Sequence, residues 1–203
     1  MTETLFELRK FVAPEFIIGV DARRLAGRYA KNLGASHVFL VTGPKIISAG
    51  WVEDVTKSLQ DEGIRYTIFS DVSPNPRDFE VMKGADLYRQ AGCDAVIAVG
   101  GGSPIDCAKG IGIVVSNNQH ILEFEGVDNV RIPAPPLICI PTTSGSAADV
   151  SQFAIINDTT RKVKIAIISK KIVPDISLCD PVPLTSLTSE LTAHTGMDAL
   201  VHS

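Results

Sequence analysis

Apolar positions in the first two thirds of the chain fall in short continuous runs rather than in alternation. Val38–Thr42, Ala95–Val99 and Leu137–Ile140 are such runs, and Ile64–Phe69 also reads as a strand. Helical patterns lie between them, from about Ile46 to Gln60, over Phe79–Ala91 with Gly92 placed to stop it, and over Pro104–Val115. Continuous apolar strands separated by helices predict a parallel sheet covered on both faces, an α/β fold. After Pro141 the pattern changes. Phe153–Ile156 and Val163–Ile168 flank the polar stretch Asn157–Lys162, which predicts a β-hairpin. Asp180-Pro181-Val182-Pro183 reads as a rigid linker with no room for a helix, and a helical pattern begins at Ser186. The expected organisation is an α/β domain over residues 1–183 and the start of a second, helical domain over 184–203.

Charge and composition narrow the function classes. The net charge is −4 and Lys and Arg form no block, so the chain lacks the basic footprint of a nucleic-acid binder. No apolar run approaches the ~20 residues that span a bilayer. Met1–Lys10 has no positive segment followed by an apolar stretch, unlike a signal peptide. Cys93, Cys107, Cys139 and Cys179 are scattered, without C-x-x-C spacing, and sit in or beside apolar stretches. Buried reduced thiols in a cytoplasmic protein are the expectation. The apolar segment Leu5–Phe16 suits pairing with a partner's sheet edge, which makes a homodimer an expectation as well.

The sharpest local signal is Val99-Gly100-Gly101-Gly102-Ser103-Pro104-Ile105-Asp106. A buried strand ends in glycines, which let backbone approach a ligand closely. Ser103 is read as the N-cap, Pro104 as the first helical residue and Asp106 as the third. The helix then aims free N–H groups and its positive dipole end at the carboxyl edge of the sheet, a ready site for a pyrophosphate. The spacing is not G-x-G-x-x-G. Asp106 either caps its own helix or receives hydrogen bonds from a ribose or nicotinamide. A second polar loop, Pro141-Thr142-Thr143-Ser144-Gly145-Ser146-Ala147-Ala148-Asp149, follows the next strand. It offers hydroxyl and backbone donors without bulk, either to the same ligand or as a solvated cap.

Together these loops resemble the iron-containing (group III) alcohol dehydrogenases, whose pattern is GGGS-x-x-D after one strand and PTT-x-G-[ST] after the next. A third signature of that family, TG-[MV]-DAL-x-H, matches Thr195-Gly196-Met197-Asp198-Ala199-Leu200-Val201-His202. The resemblance covers the whole chain, including Pro74-Asn75-Pro76 and the hairpin. It implies a dehydroquinate synthase-like fold, with a Rossmann-type parallel-sheet domain for a dinucleotide followed by an all-helical metal-binding domain. It also implies reversible hydride transfer between a small alcohol or aldehyde and NAD or NADP, with Fe2+ or alternatively Zn2+. Gly100, Gly101, Gly102 and Ser103 resemble the pyrophosphate-binding backbone. Thr142, Thr143 and Ser146 resemble adenosine-side and phosphate contacts. Asn75 resembles an asparagine beside the adenine ribose, and Lys164 a lysine that reaches the nicotinamide ribose. No catalytic proton-transfer residue is assigned. The alternatives are a dehydroquinate synthase-like or glycerol dehydrogenase-like enzyme of the same fold, or a nucleotide-binding piece without catalysis.

One departure bears on the cofactor. The family usually has Thr-Asp after the first strand, where the carboxylate receives the ribose 2′-hydroxyl. Here the pair is Thr42-Gly43, followed by Pro44 and Lys45. A carboxylate repels a 2′-phosphate, whereas glycine leaves room and a nearby lysine attracts it. NADP is therefore expected to bind at least as well as NAD, unless Gly43 only makes a turn with Pro44.

Asp198 and His202 are four residues apart and lie on one helical face. A carboxylate with an imidazole suits divalent iron or zinc, but a catalytic centre needs about three protein ligands. The resemblance implies that the remaining ligands are histidines beyond Ser203, so the catalytic site is expected to be incomplete within these residues. His194 reads as a neighbouring or surface group, and His37 and His120 as structural.

Overall fold

The computed structural model describes residues 12–202 of the chain. Its first strand is β1 (Glu15–Ile18), followed by helix α1 (Ala26–Asn32) and β2 (His37–Thr42). Helices α2 (Pro44–Ser48) and α3 (Trp51–Asp61) lead to β3 (Arg65–Phe69), and α4 (Asp78–Ala91) leads to β4 (Ala95–Gly100). Helix α5 (Gly102–Asn117) is followed by the short β5 (Gly126–Val127) and by β6 (Leu137–Pro141). Strands β7 (Phe153–Asp158) and β8 (Val163–Ile168) form the hairpin. The chain then runs through β9 (Ile176–Cys179) and a short 3-10 turn, Pro183–Ser186, into α6 (Ser189–His202).

Six strands form one parallel sheet in the order β1-β9-β6-β4-β2-β3. Every residue of β2 and β4 is buried, as expected of strands covered on both faces. Side-chain alternation divides them between two cores. Phe39, Val41, Val96 and Ala98 pack toward α4, α5 and the hairpin. Val38, Leu40, Ile97 and Val99 pack toward α1 and α3. The hairpin and β5 make a separate three-stranded sheet.

The α/β architecture, strands β2, β3, β4 and β6 and the hairpin agree with the expectation from the sequence. Three local readings do not. The helix expected over Ile46–Gln60 is two helices, because Gly50 adopts a left-handed conformation at φ 83° that ends one helix and starts the next. The linker at Pro183 contains a 3-10 turn, since proline suits the first turn of a helix. Ser103 is not the N-cap. Gly101 holds that position and α5 begins at Gly102, so Ser103 is free to bond elsewhere.

His37, His120 and the cysteines fit their structural reading. His37 faces Thr67 Oγ1 through Nε2 at 3.0 Å, and His120 Nδ1 accepts from the Leu122 N–H at 3.3 Å. The four cysteines are unpaired, and three of them are buried. Strand β1 lies at the edge of the sheet with Phe16 and Ile18 exposed. The rest of the apolar segment, residues 5–11, lies outside the described residues. No helix among the described residues is long and apolar enough to cross a membrane.

Candidate cofactor site

The connection after β2 leads to β3 on one side and the chain after the adjacent β4 returns to the sheet at β6 on the other, so neighbouring strands send the chain in opposite directions. Such a switch point opens a crevice at the carboxyl ends of the strands. A cavity of about 730 Å³ lies there, lined by Gly43 and Lys45 after β2, Val72 and Pro74 after β3, and Gly101 and Ser103 after β4. Thr143 lines it from the loop after β6, and Leu191 and Thr195 close it from α6.

The glycines keep the floor of this crevice free of side chains. A Cβ on Gly101 would sit 2.8 Å from Thr143 Oγ1, and one on Gly102 would sit 3.3 Å from Ser146 Cβ. Gly100 has φ 151°, and a Cβ there would lie 2.6 Å from Pro104 Cγ. The two polar loops therefore touch, and backbone alone forms the floor. The first N–H groups of α5 have no partner within the helix, and at 16 residues α5 carries a full dipole. Thr142 Oγ1 is buried and finds no hydrogen-bond partner. Exposed donors above a glycine floor and an orphaned hydroxyl beside it suit a phosphate-bearing ligand.

The turn after β3 is tied to this floor. Asn75 sits at φ 57° between two prolines. Its N–H donates to Ser103 Oγ at 3.1 Å, its carbonyl accepts from Asn157 Nδ2 at 3.0 Å, and its Oδ1 accepts from Lys164 Nζ at 2.7 Å. Asn75 and Lys164, separate expectations from the sequence, are thus in direct contact. The turn is braced from below by Glu80, which accepts from Ser73 Oγ at 2.7 Å and from the Arg77 N–H at 3.0 Å.

Asp106 neither caps its own helix nor lines the cavity. Its Oδ2 accepts from the Ile155 N–H of β7 at 3.3 Å. Burial pushes its carboxyl up to about 6, against the pull of Lys109 and the Ile155 N–H. Lys109 was not singled out from the sequence, yet it is fully buried. Its Nζ donates to the carbonyls of Ser151 at 2.7 Å and Phe153 at 2.8 Å. Burial lowers its pKa, while Cys139, Asp106 and Asp149 pull it back up. A lysine inside the apolar run Ile105–Val115 is the signal that reveals it.

Gly43 is extended, at φ −115° and ψ 157°. A Cβ there would meet only the Val72 carbonyl at 3.8 Å, an ordinary contact. The backbone thus does not require glycine at this position. Lys45 is exposed and lines the same cavity.

The third signature docks on the second loop. Ser144 Oγ donates to Thr195 Oγ1 at 3.2 Å, and a Cβ on Gly145 would lie 2.7 Å from Asp198 Oδ2. His202 Nε2 lies 3.4 Å from Asp198 Oδ1, with both side chains largely exposed. The pair suits two ligand positions of a metal centre. No group of three or more His, Cys, Asp and Glu able to hold an ion exists among the described residues, so this donor set falls short of a catalytic metal site. His194 lines a neighbouring cavity of about 480 Å³ together with Trp51, Thr143 and Ser186.

The model of the family described as iron-containing alcohol dehydrogenase matches residues 13–181. The chain belongs to the iron-containing alcohol dehydrogenases. It is 37% identical over 193 residues to an NAD-dependent methanol dehydrogenase of Bacillus methanolicus, covering 95% of this chain and 51% of that protein. It is 39% identical over 194 residues to alcohol dehydrogenase 4 of Schizosaccharomyces pombe, covering 95% of this chain and 46% of that protein. Among solved structures, a 1,3-propanediol oxidoreductase superposes with a TM-score of 0.94 at 34% identity, covering 97% of this chain and 52% of the other. The chain spans about half the length of these family members. The match favours the alcohol dehydrogenases over the dehydroquinate synthase-like alternative.

Proposed function

We propose that this chain is the dinucleotide-binding part of an NAD(P)-dependent oxidoreductase acting on a small alcohol or aldehyde. The observation that carries the reading is the cradle, where the Gly100–Gly102 backbone, the start of α5 and the orphaned Thr142 hydroxyl converge at the switch point of a parallel sheet. The pyrophosphate lies against Gly101, Gly102 and Ser103. The adenosine half lies over Gly43 and Val72, and the other nucleotide half lies toward β6 and the hairpin, near Lys164. Thr143 and Ser146 contribute hydroxyls from the second loop. When bound, the nicotinamide accepts or returns a hydride, and the chain's own residues anchor and align it. Asp198 and His202 supply two ligands toward a divalent iron. Assigned to this chain by itself is cofactor binding alone.

The extended Gly43 and the exposed Lys45 support a further reading, that NADP is accepted at least as well as NAD. Gly43 presents no carboxylate to a 2′-phosphate, and its conformation suits any residue. The domain boundary is assigned near Pro183, and the exposed edge of β1 makes a homodimer part of the proposal.

A fluorescence titration of the chain with NADH and NADPH tests the reading, with Trp51 as the energy donor. Trp51 lines the cavity adjoining Thr142 and Gly101. Binding of both, with NADPH at least as tight, is expected. Tighter NADH binding overturns the NADP reading and leaves the cradle standing. Binding of neither overturns the cradle for this chain.

A further inference from the structure

Helix α6 walls the crevice through Leu191 and Thr195 and carries Asp198 and His202, yet none of its residues is buried. Apolar burial, which holds most helices in place, is a weak hold on this one. Polar ties act instead. Ser144 Oγ donates to Thr195 Oγ1 at 3.2 Å, midway along the helix. Ahead of the helix, Trp51 Nε1 of α3 donates to Ser186 Oγ at 3.2 Å, in the 3-10 turn from which α6 sets off.

The two partners are matched for this contact. Ser186 Oγ donates its own proton to the Pro183 carbonyl at 2.8 Å, which leaves its lone pairs to accept, and an indole N–H can only donate. The indole is itself held. The Arg23 guanidinium stacks on its ring, 5.0 Å from the centroid. Arg23 is buried and bound by Asp54 and Asp180, each at 2.6 Å. Asp180 lies at the start of the connection to α6 and Ser186 near its end. One network through Arg23 and Trp51 thus grips that connection at both ends. Packing on Arg23 alone would leave the indole N–H to water. Its direction toward Ser186 is what links α3 to α6.

We propose that Trp51 is a positioning residue for the cofactor, acting through Ser186 as a latch on α6. The latch sets the wall formed by Leu191 and Thr195 against the pyrophosphate floor before a dinucleotide enters. A wall already in place spares the ligand the free energy of ordering it. This role rests on the cradle reading above, whereas the latch itself exists in the ligand-free chain.

The test uses Trp51→Phe, which keeps a ring on Arg23 and loses the N–H, together with Ser186→Ala, the double variant, and Ser186→Thr as the conservative control. Calorimetry measures NADH affinity, because Trp51 is the chain's one tryptophan. Each of Trp51→Phe and Ser186→Ala is expected to lose about threefold, the scale of one exposed hydrogen bond. The double variant should lose no more than either, since both changes remove one contact. Ser186→Thr keeps the hydroxyl and with it the affinity. Full affinity in Trp51→Phe, even with a lower melting temperature, overturns the proposal, and so do losses that multiply in the double variant. Amide hydrogen exchange of the ligand-free chain reads the latch without the cradle. Exchange over residues 187–195 is expected to be faster in Trp51→Phe and in Ser186→Ala than in the unsubstituted chain, and unchanged exchange overturns the latch. An unsubstituted chain that binds no NADH overturns the cradle, and the cofactor role of Trp51 with it, whatever the exchange shows of the latch.

Discussion

Lys164 Nζ lies 2.7 Å from Asn75 Oδ1, so a charge on the hairpin is held by the turn after β3. Each residue orders the other, and the effects of removing them are coupled. Lys164→Met and Asn75→Ala are each expected to weaken NADH binding about five- to tenfold, the size of a lost hydrogen bond to a charged group. The double variant is expected to lose little more than either single one, because groups in one network are not additive. Calorimetric titration of the four proteins closes the cycle. Independent, multiplying losses would mean that the contact seen here has no part in binding.

The conformation of Gly43 leads to a second expectation. The position accepts a side chain without strain and without a close neighbour. Gly43→Asp is therefore expected to fold normally and to weaken NADPH binding selectively, by about tenfold or more, because a carboxylate repels the 2′-phosphate. NADH affinity should hold or improve. Equal loss of both cofactors in a side-by-side titration would refute the role.

Much of this was legible in the residues. The buried strands announced themselves because both faces are covered, so their apolar runs are unbroken. The two loops and the α6 signature were recognisable as short local strings. Strands β1 and β9 were not, since each has only four residues, too few to stand out from a linker. The split between α2 and α3 depended on one left-handed glycine inside an otherwise helical pattern. The misplaced cap at Ser103 had another cause. Its hydroxyl is taken by the Asn75 N–H, a contact spanning 28 positions that no local pattern encodes. The same holds for Lys109 and Asp106, whose partners lie on a hairpin more than forty residues away.

Helix packing gives a stability prediction with an internal control. The Gly27 N–H donates to Ser58 Oγ at 2.9 Å, and a Cβ on Gly27 would fall 2.0 Å from the Ser58 carbonyl oxygen. Backbone meets backbone here, so relief requires moving α1 away from α3. Gly27→Ala is expected to cost about 3 kcal/mol, the upper end of ordinary overpacking. Gly19→Ala, where a Cβ meets nothing within 4 Å, is expected to be close to neutral. Urea midpoints with unchanged slopes would measure both.

Asp106 brings a pH dependence of definite sign. Its carboxyl is raised by burial to about 6 in the folded chain, against roughly 3.9 when unfolded. Between those values the folded state holds the extra proton. The contribution of this group to stability therefore grows as pH falls from about 6 to about 4, and is absent above that window. Asp106→Asn is expected to remove this component, leaving a flatter stability curve between pH 4 and 6. A denaturation series across that range checks it, and an unchanged curve would mean that Asp106 ionises normally in the fold.

Arg23 and Asp180 behave in the opposite sense. Arg23 Nη1 lies 2.6 Å from Asp180 Oδ2, and the Asp180 side chain is fully buried. Asp54 also holds the guanidinium, which stacks 5.0 Å from the Trp51 ring. Burial alone would raise the Asp180 carboxyl, but the Val182 N–H and Arg23 together hold it below its ordinary value. Its contribution is thus present above about pH 4 and lost as pH falls through the folded value. Arg23→Met strands a buried carboxylate, at a cost of about 3–5 kcal/mol near neutral pH. In that variant the pull of the Arg23 side chain is lost while the penalty of burial stays, so the Asp180 pKa is expected to move up. The deficit should therefore narrow as pH drops toward 4 and the orphaned group takes up a proton. A deficit of the same size at pH 7 and pH 4.5 would mean that lost packing, and not the unpaired charge, destabilises the variant.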